Sequence, residues 1–292
     1  MKRAIIVAVV TVLVAVACGD ETGDPPADET TGADRPERIV SISPTGTEML
    51  FGIGAGDQVV AVDSFSYYPP EAPVTDLSAF EPNVEAIADL EPDLVVLDFD
   101  PGDVVSGLEA LGIDTFQLSA AATFDDIYSQ LEQLGAATGH SGDAGELVAR
   151  MRTDIDAAVE SFDSDDVLTY YHEIDTTLYS ATSSTFVGQV YGLFGLHNVA
   201  DAADSDGSAF GYPQLSAEYL VDADPDLIFL ADVNFEQQSL DTVAARPGWE
   251  DMTAVRAGRV FQLDDDVVSR WGPRVVDFVE TVAAALRSVV PA

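Results

Sequence analysis

Cysteine, lysine, histidine and tryptophan are all scarce here: one, one, three and two among 292 residues. A lone cysteine, Cys18, excludes any disulfide within the chain. The histidines, His140, His172 and His197, are nowhere three or four residues apart, which argues against a histidine-built zinc or manganese site. Basic residues number 12 against 52 acidic, for a formal net charge of −40. Such a field opposes nucleic acid, whose recognition needs a basic footprint, and reads instead as a solvated face that keeps the protein dissolved. Catalytic signatures are missing as well: there is no Gly-x-Ser-x-Gly elbow, no His-Glu-x-x-His and no phosphate loop. Gly52-Ile53-Gly54-Ala55-Gly56 is glycine-rich but stands at a helix end, where it reads as a C-cap and turn. An enzyme is not expected.

Long apolar runs are absent too. The longest, Ala4 to Ala17, would make a helix of about 21 Å, too short for a hydrocarbon core of about 30 Å. It follows the basic Met1-Lys2-Arg3 and ends at Ala17-Cys18-Gly19, the layout of a secretory signal. The cysteine at its end resembles the lipidated residue of a bacterial lipoprotein, so residues 1–18 are expected to be a lipoprotein-type signal and Cys18 the membrane anchor. Ala15 stands where such signals usually carry leucine, which leaves ordinary secretion with Cys18 removed as the alternative. Residues 19–37 are rich in Asp, Glu, Thr, Gly and Pro without apolar periodicity and read as a disordered acidic tether.

What the chain does contain is a duplication. Residues 84–97 align without a gap on residues 217–230, each reading as a short helix, a Pro-Asp turn and a buried strand. A glutamate, Glu85 or Glu218, stands at the same place in each copy, seven residues before the proline. Two equivalent carboxylates on two similar α/β lobes suggest one partner that grips both. Strands expected near Ile39–Ser43, Gln58–Val62, Leu94–Leu97 and Thr115–Leu118 give the first lobe, residues 38–140, a βαβ rhythm and a largely parallel sheet. Apolar residues from Ala144 to Phe162 recur at helical spacing and predict one long amphipathic helix, residues 141–163. The second lobe, residues 164–292, is expected to start with a strand at Val167–Tyr171, with Tyr171 and His172 in the loop that follows. It continues with a helix at Thr185–Phe194, a strand at Arg259–Leu263 and a terminal helix at Pro273–Val290.

The segment Arg38 to Glu48, followed by Tyr67-Tyr68-Pro69-Pro70-Glu71-Ala72, resembles the opening of the solute-binding proteins of cobalamin, ferric-siderophore and haem ABC importers. Thr185-Phe186, Gly195 to Asn198, Pro213 to Ser216 and Gly272-Pro273-Arg274 resemble further landmarks of that family, in order. The resemblance implies a monomer of two α/β lobes joined by a single rigid interlobe helix, with little closure and a cleft for a metal chelate. It implies no cofactor. Glu85 and Glu218 match the residues by which such proteins meet arginines of a permease dimer. Tyr68, Phe80, Phe99 and Tyr212 fall where cobalamin-binding members place cleft aromatics, and Arg270 near an arginine that siderophore-binding members set against anionic chelates. His172 is a candidate for one axial contact to a chelated metal, while His140 is expected to be solvated at a helix end. The implied function is extracytoplasmic capture of an iron-siderophore or cobalamin-type chelate and delivery to an ABC permease. A haem-scavenging surface lipoprotein without a transporter is the alternative, and the choice among siderophore, cobalamin and haem stays open.

Overall fold

The computed structural model describes residues 35–162 and 167–289; the signal, Cys18 and nearly all of the tether lie outside the described residues. Two four-stranded sheets organise the chain. β1 (Ile39–Ile42), β2 (Val59–Val62), β3 (Leu94–Leu97) and β4 (Asp114–Gln117) form the first, in the order β2-β1-β3-β4. β5 (Thr169–Glu173), β6 (His197–Asn198), β7 (Leu227–Leu230) and β8 (Val260–Gln262) form the second, in the order β6-β5-β7-β8. Every pairing is parallel, and β3 and β7, the two strands of the repeat, occupy the same place in their sheets. Both are buried along their whole length, as strands covered on both faces must be.

The covering helices are α1 (Pro44–Gly52), α2 (Val84–Ala88), α3 (Val104–Glu109), α4 (Phe124–Thr138), α5 (Ser141–Glu160), α6 (Phe186–Gly192), α7 (Ala217–Ala223), α8 (Val233–Glu236), α9 (Leu240–Ala244), α10 (Thr253–Arg256), α11 (Asp265–Ser269) and α12 (Val275–Val289). Strand alternation divides the core into three. Ile39, Leu94 and Val96 face inward with Tyr170, Leu227 and Phe229, and α4, α5 and α12 fill the space between the two sheets as one continuous cluster. Val40, Val95 and Leu97 face outward under α2 and α3, and Ile228 and Leu230 face outward beside Trp249. α5 buries Ala144, Val148, Met151, Ile155 and Ala158, an i, i+4, i+7 stripe, and its 20 residues span about 30 Å. The lobes therefore share a core rather than merely a linker.

The ends of elements differ from the sequence expectation where distant residues set them. β5 runs from Thr169 to Glu173 instead of Val167 to Tyr171, because the Asp226 carboxylate accepts from the Thr169 amide and hydroxyl and pairing with β7 sets Glu173 opposite Leu230. Tyr171 is thus wholly buried in the outer core, and His172 is a strand residue, not a loop residue. α12 begins at Val275, past Pro273. His140 is the N-cap residue of α5, and its ring is held by Gln58 and Asp143 instead of being solvated.

Candidate functional site between the lobes

In each sheet the strand order reverses beside the first strand, at β1/β3 and at β5/β7, and ligands of such sheets gather beyond the carboxyl ends at that reversal. Both carboxyl ends open on one cleft. On the β1/β3 side lies a cavity of about 280 Å³ lined by Thr45, Asp63, Phe80, Asp98, Phe99 and Arg270, among others. On the β5/β7 side lies one of about 310 Å³, mostly apolar, lined by Ala121, His172, Phe186, Tyr212 and Ala231. Ser269, at the end of α11, and Trp271, between α11 and α12, line both and make the two cavities neighbours.

Aromatic rings dominate the walls. Phe80 stands 6.0 Å from Phe65 and 5.7 Å from Phe99, and all three rings are exposed, as are Phe235 and Tyr212 across the cleft. So much apolar ring surface facing water in one concavity is the mark of a binding site. Trp271 lines both cavities and carries a buried Nε1 without a hydrogen-bond partner in the protein. Asp63 is fully buried, and its Oδ2 likewise lacks a partner. Burial raises the Asp63 carboxyl above its ordinary range. Asp98 accepts from the Ser43 hydroxyl at 2.5 Å, and burial with the Asp63 charge pushes its pKa up to about 6. His172 bonds the Tyr191 hydroxyl through Nδ1 at 2.8 Å; burial lowers its pKa to about 3, so the imidazole is neutral.

Residues 39–267 match the model of the periplasmic binding protein family. The chain belongs to that family. It is 31% identical over 287 residues to a cobalamin-binding protein of Halobacterium salinarum, covering 93% of this chain and 76% of that one. It is 30% identical to an uncharacterised ABC transporter substrate-binding lipoprotein of Bacillus subtilis, covering 86% and 80%. Among solved structures, the periplasmic vitamin B12 binding protein of Vibrio cholerae superposes with a TM-score of 0.69 at 25% identity, covering 87% of this chain and 97% of that one. The periplasmic haem-binding protein of the same organism superposes at 0.75 and 22%, covering 86% and 98%, a likeness of fold.

In this binding protein the expected site residues separate. Phe80, Phe99, His172 and Tyr212 line the cleft. Tyr68 lines neither cavity; its ring lies under the Arg274 guanidinium at 4.1 Å. Arg270 reaches the cleft but is not a free cation. It donates to Glu48 Oε1 at 2.9 Å and to Asp266 Oδ1 at 2.7 Å and is only 9% exposed. Glu48, on α1, accepts from Arg274 as well, at 2.9 and 2.5 Å, so one buried carboxylate pairs with two guanidinia, and Asp266 supplies the second negative charge. Phe65 and Phe235 went unassigned in the sequence, although Phe65-Ser66-Tyr67-Tyr68 is dense in aromatics.

Glu85 and Glu218 are exposed, each the second residue of its helix, after the caps Asn83 and Ser216, which both accept from the amide three residues on. Neither lines a cavity described above. In a right-handed crossover the helix starts at the carboxyl edge of the sheet, so both glutamates stand toward the edge that carries the cleft. The far end of α2 confirms the direction: Arg38, ahead of β1, donates to the carbonyls of Leu90 and Glu91.

Proposed function

We propose that this protein is an extracytoplasmic receptor that holds a metal chelate of the cobalamin or ferric-siderophore kind in the interlobe cleft and hands it to an ABC permease. The observation that carries the reading is the aromatic cleft at the carboxyl ends of both sheets, walled by both lobes and large enough for the faces of a flat or globular chelate. The names of the relatives, which bind cobalamin or haem or serve ABC transport, support it. Glu85 and Glu218 are the proposed docking residues, since an arginine cluster on each permease subunit would pair with one of two equivalent carboxylates. Cys18 is the proposed lipid anchor.

Titration with a cobalamin and with a ferric trihydroxamate, read by quenching of tryptophan fluorescence, tests the cleft. Tyr212→Ala is expected to weaken binding by about 0.5–1.5 kcal/mol with an unchanged melting temperature, because the ring is half exposed and stacks on nothing in the protein. Lower thermal stability with unchanged affinity would make Tyr212 a structural residue. For the anchor, Cys18→Ser should move the protein from the membrane to the soluble fraction, as each buried lipid methylene is worth about 0.8 kcal/mol. Unchanged partitioning would refute lipidation.

A further inference from the structure

We propose that the cleft selects by charge, taking neutral or cationic chelates whose rim offers N–H or O–H donors and rejecting chelates that carry carboxylates or other anionic groups. This rests on the chelate reading of the cleft and narrows it. The lining residues that bear charge are Asp63, Asp98, Asp265, Asp266 and Arg270. The only cation among them is already consumed: Arg270 is tied to Glu48 and Asp266, and Arg274 behind it is tied to the same Glu48. These two arginines and two carboxylates cancel in formal charge, and Asp63, Asp98 and Asp265 remain as carboxyls with no salt-bridged cation of their own. Asp265 commits both oxygens to the amides of Val233, Asn234 and Phe235. Asp63 is different. Its Oδ1 accepts from the Ser66 hydroxyl, while Oδ2 is buried in the wall with no partner in the protein, the one carboxylate oxygen here that an occupant's donor would relieve.

A ligand carboxylate at this place would meet like charge in a partly enclosed, poorly screened space, with no free guanidinium to receive it. An amide or ammonium would supply the missing donor instead. Trp271 Nε1, also unpartnered, asks the occupant for a neutral acceptor, which an amide carbonyl provides. Amide-bearing rims satisfy both.

Matched pairs isolate charge from shape: cyanocobalamin against its tricarboxylate made by amide hydrolysis, and a ferric trihydroxamate with a free amine against its N-succinyl derivative. The neutral or cationic member of whichever pair binds is expected to be at least about 10-fold tighter at low salt, with most of the gap kept in roughly 0.5 M salt because the charges are enclosed. Asp63→Asn and Asp98→Asn, separately and together, should narrow the gap by weakening the repulsion, with melting curves checking that each variant is folded. An anionic member that binds as tightly as its partner overturns the inference and leaves the chelate reading standing. A gap that neither variant narrows overturns the assignment to these carboxylates. No binding by any of the four overturns both.

Discussion

Glu48 shows how much of the cleft's chemistry is decided by one side chain. It is 4% exposed on α1, and breaking its pairs would leave two guanidinia uncompensated in a desolvated place, the costly kind of ion-pair loss. The same contact ties α1 to the segment between α11 and α12, so it sets the cleft's charge and the lobes' spacing together. Asp98 is the opposite case, a carboxyl that its site holds against its ordinary ionisation. Its folded pKa of about 6 lies above the ordinary 3.8, so the folded state binds the proton more tightly. Its contribution to stability is fully present below about pH 4 and lost as pH rises through 6, where an ionised group faces Asp63. Asp98→Asn is accordingly expected to raise stability at pH 7.5 by about 1–2 kcal/mol, since the amide keeps the Ser43 bond without the charge, and to change nothing at pH 4. Thermal denaturation at the two pH values checks it; equal effects at both would show that Asp98 is not the titrating group.

Elements are positioned by close packing that small residues permit. A Cβ on Gly46 would come within 2.6 Å of Val96 Cγ1, which is why α1 can lie against β3 and deliver Glu48 and Thr45 to the cleft. Gly188 is tighter still, with the nearest atoms belonging to the backbone of Thr182 and Ser183, which side-chain adjustment cannot relieve. Gly188→Ala should therefore destabilise by about 1–3 kcal/mol or more in a denaturant melt, and a variant as stable as the parent would mean that α6 does not sit this close. The α/β class and the two lobes were legible in the sequence because buried parallel strands read as apolar runs and the repeat marks β3 and β7 in advance. β5 was misplaced by two residues because Tyr170-Tyr171-His172-Glu173 has no such run; its register comes from Asp226, 57 residues away. The tie of Arg270 to α1 was hidden for the same reason. Its partner Glu48 lies 222 residues earlier, and no local pattern joins them. The matching places of Glu85 and Glu218 on α2 and α7 could be read in advance because duplication is visible without knowing any contact.

At the scale of the whole molecule, two sheets of the same topology share an inner core with α4, α5 and α12 between them, so any swing of one half against the other would have to disturb packed apolar contacts. Such a body presents its two capped helices, and with them Glu85 and Glu218, as a rigid pair. Acidic charge says little about where a partner would dock, since 52 acids leave many carboxylates besides these two. Position, not charge alone, must single them out. The most direct measurement is chelate uptake into vesicles holding the cognate permease, with Glu85→Arg, Glu218→Arg and the double variant, alongside chelate affinity in solution. Like-charge repulsion at both ends of one interface should cost several kcal/mol in complex stability and abolish uptake by the double variant, with affinity for the chelate unchanged. Normal uptake by the double variant would contradict docking through the paired glutamates.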